Sequence, residues 1–313
     1  IGLFIAFIGL QGANLVVNDD STLLTYVKFV GDFHTIGIGA LLALIGLFII
    51  VVLHHKNIKG SILIGILATW ILGMICEAIG LYVPDGKDFY SLYPTFRMID
   101  FGAFGTTFGQ CFNVDFSGVD ILNFIAVLFA FLFVDIFDTL GTLIGVSTKA
   151  NMLDEEGKLP RIRPALLADA IATSVGAIFG TSTTTTYVES SAGVAAGGRT
   201  GLSAMVTGLL FLLAIVFAPI FTAIPSFATA PALIFVGFLM ISSIISIDFE
   251  DITEAVPAYL AMLAMPLMYS ISEGIALGVI SYVVINLCCG KAKKIKPLMY
   301  ILAVLFVLKY IFL

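Results

Sequence analysis

Charge is what this sequence has least of. Asp, Glu, Lys and Arg make up 12% of its 313 residues, whereas soluble domains carry about 25%. So few charged side chains cannot cover a soluble protein of this size, which excludes a soluble enzyme and a disordered chain. A basic excess is absent too, because the formal net charge is −6, and this excludes a nucleic-acid-binding protein. The 60% hydrophobic content and mean hydropathy of +1.11 instead indicate a mostly helical integral membrane protein, since lipid leaves exposed backbone groups unsatisfied.

Cysteine and histidine are also scarce, with four and three residues. The cysteines form no CxxC pair and no Cys/His spacing typical of a metal site, and the histidines lie at the ends of apolar segments. We therefore expect no disulfide framework, no metal and no other cofactor. No nucleophile–base pair is evident, which argues against an enzyme.

Long apolar runs are abundant, and a helix that crosses a bilayer needs about 20 apolar residues. The predicted spans are 1–17, 35–53, 60–81, 121–148, 164–180, 201–223, 229–247, 255–271, 273–289 and 297–313. The chain starts at Ile1, without Met and inside an apolar run. We therefore expect that an N-terminal part precedes this sequence.

Basic residues mark the predicted cytoplasmic side. They cluster in the loops 54–59, 149–163 and 291–296, which the positive-inside rule assigns to the cytoplasm. The acidic stretches 18–34 and 82–120 are then outside. This alternation holds if the stretch 181–199 counts as one crossing; the acidic loop 248–254 is exceptional, but acids contribute little to the rule.

The stretch 181–199 cannot be an ordinary lipid-facing helix. It begins with threonines and ends with several glycines; threonine favours extended backbone, and each glycine weakens a helix. Irregular backbone at membrane depth survives only where protein buries it or where it lines a wet cavity. We predict a short extended piece at 181–187, followed by a half-helix from about 188 to 197.

Four acidic residues fall inside or beside predicted spans: Asp135, Asp138, Asp169 and Glu189. Each costs about 2.5–3.5 kcal/mol in a bilayer, so they must face protein or an aqueous pocket, and they are functional-site candidates. Asp135 and Asp138 share a helix face, which Thr139 and Thr142 extend. A purely structural role remains open for both of these aspartates. The alternative for Glu189 is a purely structural role as a helix cap. For Asp169 we expect a structural role, paired with Arg199.

The motifs DTLGTL at 138–143 and TYVESSAGVAAGGRTG at 186–201 resemble those of AzgA-like adenine, guanine and hypoxanthine permeases, a branch of the nucleobase–ascorbate (xanthine/uracil) transporters. The resemblance implies an all-α polytopic fold of two inverted seven-segment repeats with a core and a gate domain, in which a broken segment contributes a short strand and a half-helix. It divides the chain into gate helices of the first repeat (1–81), an extracellular linker (82–120), a core half with the substrate site (121–223), gate helices of the second repeat (229–289), and a basic loop with an additional apolar segment (290–313).

The resemblance also assigns residues. The two substrate-binding acids of the family fall on Asp138 and Glu189, and the neighbouring Thr142, Thr186, Tyr187 and Ser190 are expected to line the same site. Thr142 stands where the wider family often has His or Asp, and Ser190 stands where the nucleobase–ascorbate signature has Asn. Both departures fit the AzgA-like branch and argue against uracil, xanthine or ascorbate.

These features predict proton-coupled symport of a purine nucleobase (guanine, hypoxanthine or adenine) across the plasma membrane by movement of core against gate. Asp135 and Asp138 are the candidate proton carriers. The expected partners are the nucleobase, the proton, the lipid bilayer and a second copy of the chain, without nucleic acid. An anion transporter of the same fold and a non-transporting receptor or scaffold remain alternatives.

Overall fold

A computed structural model describes residues 1–19, 21, 23–27, 32–84, 89–94, 101–113, 121–187, 189–241, 244–245 and 247–312. The first part contains α1 (Gly2–Gly12), β1 (Val16–Asp19), β2 (Leu23–Tyr26), α2 (Ile38–His55) preceded by a π-helical turn (Phe33–Gly37), α3 (Ser61–Ala78) and α4 (Phe101–Thr107). The second part contains α5 (Ile121–Lys149), α6 (Ile162–Phe179), α7 (Ser190–Ala195), α8 (Gly201–Val216), α9 (Ala218–Phe221), α10 (Ser226–Ile241), α11 (Ile252–Leu267), α12 (Ile271–Cys288) and α13 (Pro297–Phe312).

Helices form in the predicted apolar runs, although the predicted span 201–223 is divided at Phe217 into α8 and α9, and a larger departure occurs near the start. The predicted span 1–17 ends as a helix at Gly12, and Asn14 takes a left-handed conformation with φ 54°. An antiparallel hairpin of β1 and β2 follows, with Val17 opposite Thr25. The reason is local: β-branched residues favour paired, extended backbone, and the left-handed residue turns the chain out of the helix.

By length and composition, four helical segments of the described residues can cross a membrane: Phe33–His55, Ser61–Ala78, Ile162–Phe179 and Ile271–Cys288. Several shorter apolar helices accompany them. The α8 helix leaves large apolar side chains such as Leu209 and Phe211 exposed. Such a surface is unfavourable in water but natural in lipid, so the fold is that of a mostly helical, multi-pass membrane protein.

Helices α1, α2, α3, α10 and α11 pack around one another, and α12 packs on α11. Small residues let these helices approach closely. A methyl group added at Gly46 on α2 would collide with the hydroxyl of Thr69 on α3 and would lie 3.0 Å from Pro231 on α10. Thr69 is fully buried, and its hydroxyl donates to the Gly65 carbonyl oxygen at 2.7 Å. The packing therefore depends on the absence of a side chain at position 46.

A charge cluster joins the start of α11 to the loop after α12. Asp251 caps α11 by accepting from the Thr253 backbone N–H at 3.0 Å, and it pairs with Lys291 at 3.0 Å and Lys294 at 3.1 Å. The Thr253 hydroxyl and then the two lysines hold the pKa of Asp251 below its usual range. Lys294 also pairs with Glu254 at 2.6 Å, so two of the acidic residues of the stretch 248–254, Asp251 and Glu254, have basic partners.

The last helix, α13, is an integral part of the fold. It packs on α12, where Lys309 forms an ion pair with Glu273 and the Tyr310 hydroxyl donates to the same carboxylate. Phe306 is 1% exposed, and its ring lies 4.9 Å from the ring of Phe137 on α5. The additional apolar segment predicted after the basic loop thus fixes the beginning of α12 and contacts α5.

Candidate functional site

The predicted α5 residues lie on one side of that helix. Thr139 and Thr142 are 1% and 3% exposed, and Asp135 and Asp138 are half-buried. The Thr142 hydroxyl donates to the Asp138 carbonyl oxygen at 2.7 Å. Because a hydroxyl has one proton, Thr142 keeps only acceptor lone pairs for a ligand. The Asp138 carboxyl, in contrast, stays available on one oxygen.

The threonine-rich segment 181–187 has no regular secondary structure and is held by side chains. The Thr173 hydroxyl on α6 donates to the Thr184 carbonyl oxygen at 2.9 Å, and the Thr181 hydroxyl donates to the Gly176 carbonyl oxygen at 3.1 Å. Hydroxyl groups therefore replace part of the hydrogen bonding that a helix or sheet would supply. This explains why a segment rich in Thr can be irregular between two apolar helices.

A chain of hydroxyl groups joins this segment to α5 and α6. The Thr139 hydroxyl donates to Asp169 Oδ2 at 3.2 Å and lies 2.9 Å from the Thr185 hydroxyl. Since Thr139 has a single proton and gives it to Asp169, Thr185 must be the donor to Thr139. The Asp169 carboxyl also interacts electrostatically with Asp135. The order Thr185 to Thr139 to Asp169 thus links the irregular segment to a group of carboxylates.

The expected pairing of Asp169 with Arg199 is wrong. Arg199 is exposed and forms no ion pair within the described ranges, whereas Asp169 accepts the Thr139 hydroxyl. Asp169 thereby belongs to the polar group around α5. The sequence already indicated that Thr139 belongs to this polar group, because it lies one residue after Asp138 and four residues after Asp135 on a helix.

The half-helix begins later and is shorter than expected, because α7 covers Ser190–Ala195. Glu189 is the residue before it, and its exposed side chain makes no capping hydrogen bond. Glu189 thus stands at the N-cap position, but its carboxylate bonds to none of the described backbone N–H groups of α7 and can accept from another partner. Thr186 is half-buried, Tyr187 is 61% exposed, and Ser190 is exposed; Val188 lies outside the described residues.

Four buried side-chain atoms lack a hydrogen-bond partner among the described residues: Asp138 Oδ1, Ser191 Oγ, Ser272 Oγ and Asn286 Oδ1. A buried polar atom without a partner costs about 1–3 kcal/mol, so such atoms mark places where a ligand or water belongs. The first three lie on α5, α7 and α12, and α5 contacts both other helices. Sequence reasoning missed Ser191, although it lies inside the motif of 186–201, and it missed Ser272, since a single serine in an apolar helix carries no distinctive signal.

The structure brings Asp135, Asp138, Thr139, Asp169 and Thr185 into one polar group. A contact between the carboxyls of Asp138 and Glu189 is absent from the described interactions, although α7 contacts α5. A cavity of about 480 Å³ lies elsewhere, lined by Phe7, Gln11, Asn18, Leu24, Pro266, Leu267 and Tyr269. None of its lining residues is acidic, and its two amides bond to each other at 3.2 Å. The polar group on α5, with its available carboxyl oxygen, is therefore the better candidate site.

Known proteins resemble this chain over its whole length. Residues 1–294 match the profile of the Permease family (Xan_ur_permease). The guanine/hypoxanthine permeases PbuG and PbuO of Bacillus subtilis are 44% and 45% identical to it, with 100% and 98% of this chain and 67% of each relative covered. The adenine permease AdeP of Escherichia coli is 40% identical, with 100% of this chain and 65% of the relative covered. The chain thus spans about two thirds of the length of these relatives.

Proposed function

The chain belongs to the Permease family, whose members are transport proteins rather than enzymes, and on this premise we propose that it carries a purine nucleobase across the membrane. The family expected from the motifs is thereby confirmed. Relatives named for guanine, hypoxanthine and adenine support the substrate class. The plasma membrane is the proposed location, with the loops 54–59, 149–163 and 291–296 in the cytoplasm.

The observation that carries the proposal is the unpaired, buried Oδ1 atom of Asp138. A neutral purine is planar and presents N–H donors beside ring-nitrogen or carbonyl acceptors. An ionised carboxylate accepts such N–H groups strongly, and Asp138 has the free oxygen that this requires. Glu189, exposed and without a capping bond, is proposed as the second anchor, with Thr142, Thr186, Tyr187 and Ser190 lining the site between them.

Proton coupling is proposed through the carboxyls of α5. Asp135 interacts electrostatically with both Asp138 and Asp169, and three like charges in a site of low dielectric constant repel one another. A proton that binds to Asp135 or Asp138 removes part of this repulsion. Carried inward across 100 mV, one proton supplies about 2.3 kcal/mol for substrate accumulation. The result is symport of the nucleobase with a proton.

Alternating access is proposed as movement between two bodies. The first comprises the gate helices of 1–81 and 229–289, and the second is the core half 121–223. The stretch 82–120 is the extracellular linker, and 290–313 is the C-terminal basic loop with the additional apolar segment. The two bodies follow the core and gate domains of the inverted seven-segment repeats, and a homodimer is proposed as the working assembly. Binding sites between moving halves are the usual design of secondary transporters.

Uptake of labelled hypoxanthine into cells that express the full-length permease tests the anchor role of Glu189. Glu189→Ala should abolish saturable uptake, because it removes a charge-assisted hydrogen bond. Glu155→Ala is the matched control, since Glu155 is an exposed acid in the loop after α5. Retained uptake by the Glu189 variant, at normal abundance in the membrane, would remove this residue from the site.

The coupling role of Asp138 needs a second measurement. Asp138→Asn keeps the size of the side chain and removes its titration. Uptake should then lose its dependence on external pH between about 5 and 8, whereas Glu155→Ala should keep it. A full pH dependence in the Asp138 variant contradicts its role as proton carrier. Saturable nucleobase binding by the parent protein without any flux would instead favour a receptor, and sulfate or bicarbonate flux would favour the anion transporter.

A further inference from the structure

The beginning of α12 faces the acidic residues of α5. A methyl group added at Gly141, one helical turn after Asp138, would lie 3.5 Å from Ile271 Cγ2 and 3.6 Å from Ile275 Cδ1. These two isoleucines flank Ser272 in the first turn of α12. The backbone N–H of Ser272 lies close enough to the Asp138 carboxyl to stabilise its negative charge. Ser272 and Asp138 therefore lie on facing sides of the same helix contact.

Both residues have a buried polar atom without a partner. Ser272 is 0% exposed, and its hydroxyl lacks a hydrogen bond within the described part of the chain, as does Asp138 Oδ1. The hydroxyl oxygen of a serine lies within about 4 Å of its own backbone nitrogen by covalent geometry. Because that nitrogen lies near the Asp138 carboxyl and the two helices are in contact, the unpaired hydroxyl is on the same side of the contact as the unpaired carboxyl oxygen. Leaving both unsatisfied is unfavourable.

The first turn of α12 is firmly held, so Ser272 has a defined position. The Ser270 hydroxyl caps the helix by accepting from the Glu273 backbone N–H at 3.3 Å. Glu273 is in turn held by the ion pair with Lys309 and by the hydroxyl of Tyr310, both on α13. The hydroxyl of Ser270 thus caps the helix, whereas that of Ser272, two residues later, has no hydrogen-bond partner among the residues that the structure describes.

We propose that Ser272 is a substrate-contacting residue, which supplies from α12 the hydrogen bond that completes the site around Asp138. This inference rests on the proposed function and adds to it. An ionised carboxylate only accepts, whereas a hydroxyl donates as well. Together they match the edge of a purine on which an N–H donor stands next to an acceptor: the N–H bonds to Asp138, and the carbonyl or ring nitrogen accepts from Ser272. The substrate then bridges α5 and α12.

The test compares three variants of the full-length permease by nucleobase uptake. Ser272→Ala removes the hydroxyl and should raise KM about 3- to 10-fold, as expected for one neutral hydrogen bond. Ser272→Thr keeps a hydroxyl and should stay within about twofold of the parent KM. Ser270→Ala is the matched control, because it damages the cap of the same helix and should lower thermal stability without a comparable rise in KM.

The outcomes are distinct. An unchanged KM in Ser272→Ala for guanine, hypoxanthine and adenine would overturn the inference, and so would an equal rise in Ser270→Ala, which would indicate a structural role. A parent protein without saturable purine uptake, or unaffected uptake by Glu189→Ala, would overturn the proposed function itself. Purine uptake by the parent with a raised KM only in Ser272→Ala supports both.

Discussion

The hydroxyl chain between Thr185, Thr139 and Asp169 makes a quantitative prediction. Thr139→Val replaces the hydroxyl by a methyl group of nearly the same size. It removes the donor to Asp169 Oδ2 (3.2 Å) and the acceptor for Thr185 (2.9 Å) in one step. Thr139 is 1% exposed, so water cannot take the place of the lost hydroxyl. The irregular segment 181–187 should consequently lose its attachment to α5.

The size of the effect follows from the two bonds. A hydrogen bond to a charged group contributes about 1.5–3 kcal/mol and a neutral one about 0.5–1.5 kcal/mol. Asp169 is only half-buried, so water recovers part of the free energy that is lost with the hydrogen bond to its carboxylate. We therefore expect a destabilisation of about 2–3 kcal/mol. Thr139→Ser keeps the hydroxyl and loses one methyl group, which costs about 1 kcal/mol.

Two assays separate these variants. Thermal unfolding in detergent, followed by gel filtration with fluorescence detection, should rank the midpoints as parent, Ser variant and Val variant from highest to lowest. Uptake measurements should give a raised KM in Thr139→Val, because the segment 181–187, which carries Thr186 and leads to Glu189, is less well placed, and a nearly normal KM in Thr139→Ser. Equal midpoints for the Val and Ser variants would refute the reasoning, since the hydroxyl would then contribute nothing.

Three further changes test the packing and the charge pairs. Gly46→Ala should lower the unfolding midpoint by the equivalent of about 1–3 kcal/mol, because its methyl group collides with the Thr69 hydroxyl, while alanine at the open position Gly193 should be tolerated. Lys309→Met should cost about 2 kcal/mol, less than the 3–5 kcal/mol of a fully buried pair, and Glu273→Gln in the same chain should recover part of the loss; an additive double variant would contradict the pair. Asp251→Asn should lower the midpoint at neutral pH, because a carboxyl whose pKa is depressed stabilises the fold above its ordinary pKa near 4. Unfolding across pH should show that this deficit disappears as acid protonates Asp251 in the parent, and a deficit that persists there would contradict it.

The positions of most helices were predictable because lipid imposes a simple rule on sequence. A crossing helix must be a long apolar run, and the predicted span 121–148 differs from α5 by one residue. The hairpin after α1 was not predictable in the same way. Its residues Val16 and Val17 are as apolar as those of the helix before them, so hydropathy alone does not distinguish the two structures.

The candidate site was predictable only in part. Acids in apolar sequence are rare and costly, which is why Asp135, Asp138 and Glu189 could be selected by type and place. The partners of those acids could not, because serine and threonine are common in membrane helices and only the packing decides which of them meets a carboxylate. Asp169 is an example. Its charge beside an apolar run marked it as a candidate, but its partner is the hydroxyl of Thr139 and not the expected Arg199.

The close contacts between helices differ in kind, and this difference suits a moving protein. Between α1 and α10, a methyl group at Gly2 would lie 2.8 Å from the Gly237 carbonyl oxygen, and one at Gly237 would lie 2.5 Å from that of Gly2. Backbone meets backbone there, so the two helices cannot slide without collision. Between α5 and α12, the atoms of α12 nearest to a methyl group at Gly141 belong to the aliphatic side chains of Ile271 and Ile275, at 3.5 and 3.6 Å, and such side chains adapt by rotation. If the proposed halves separate during transport, they should therefore part at the α5–α12 contact. A passing substrate would there form its hydrogen bonds with the carboxyl of Asp138 and the hydroxyl of Ser272.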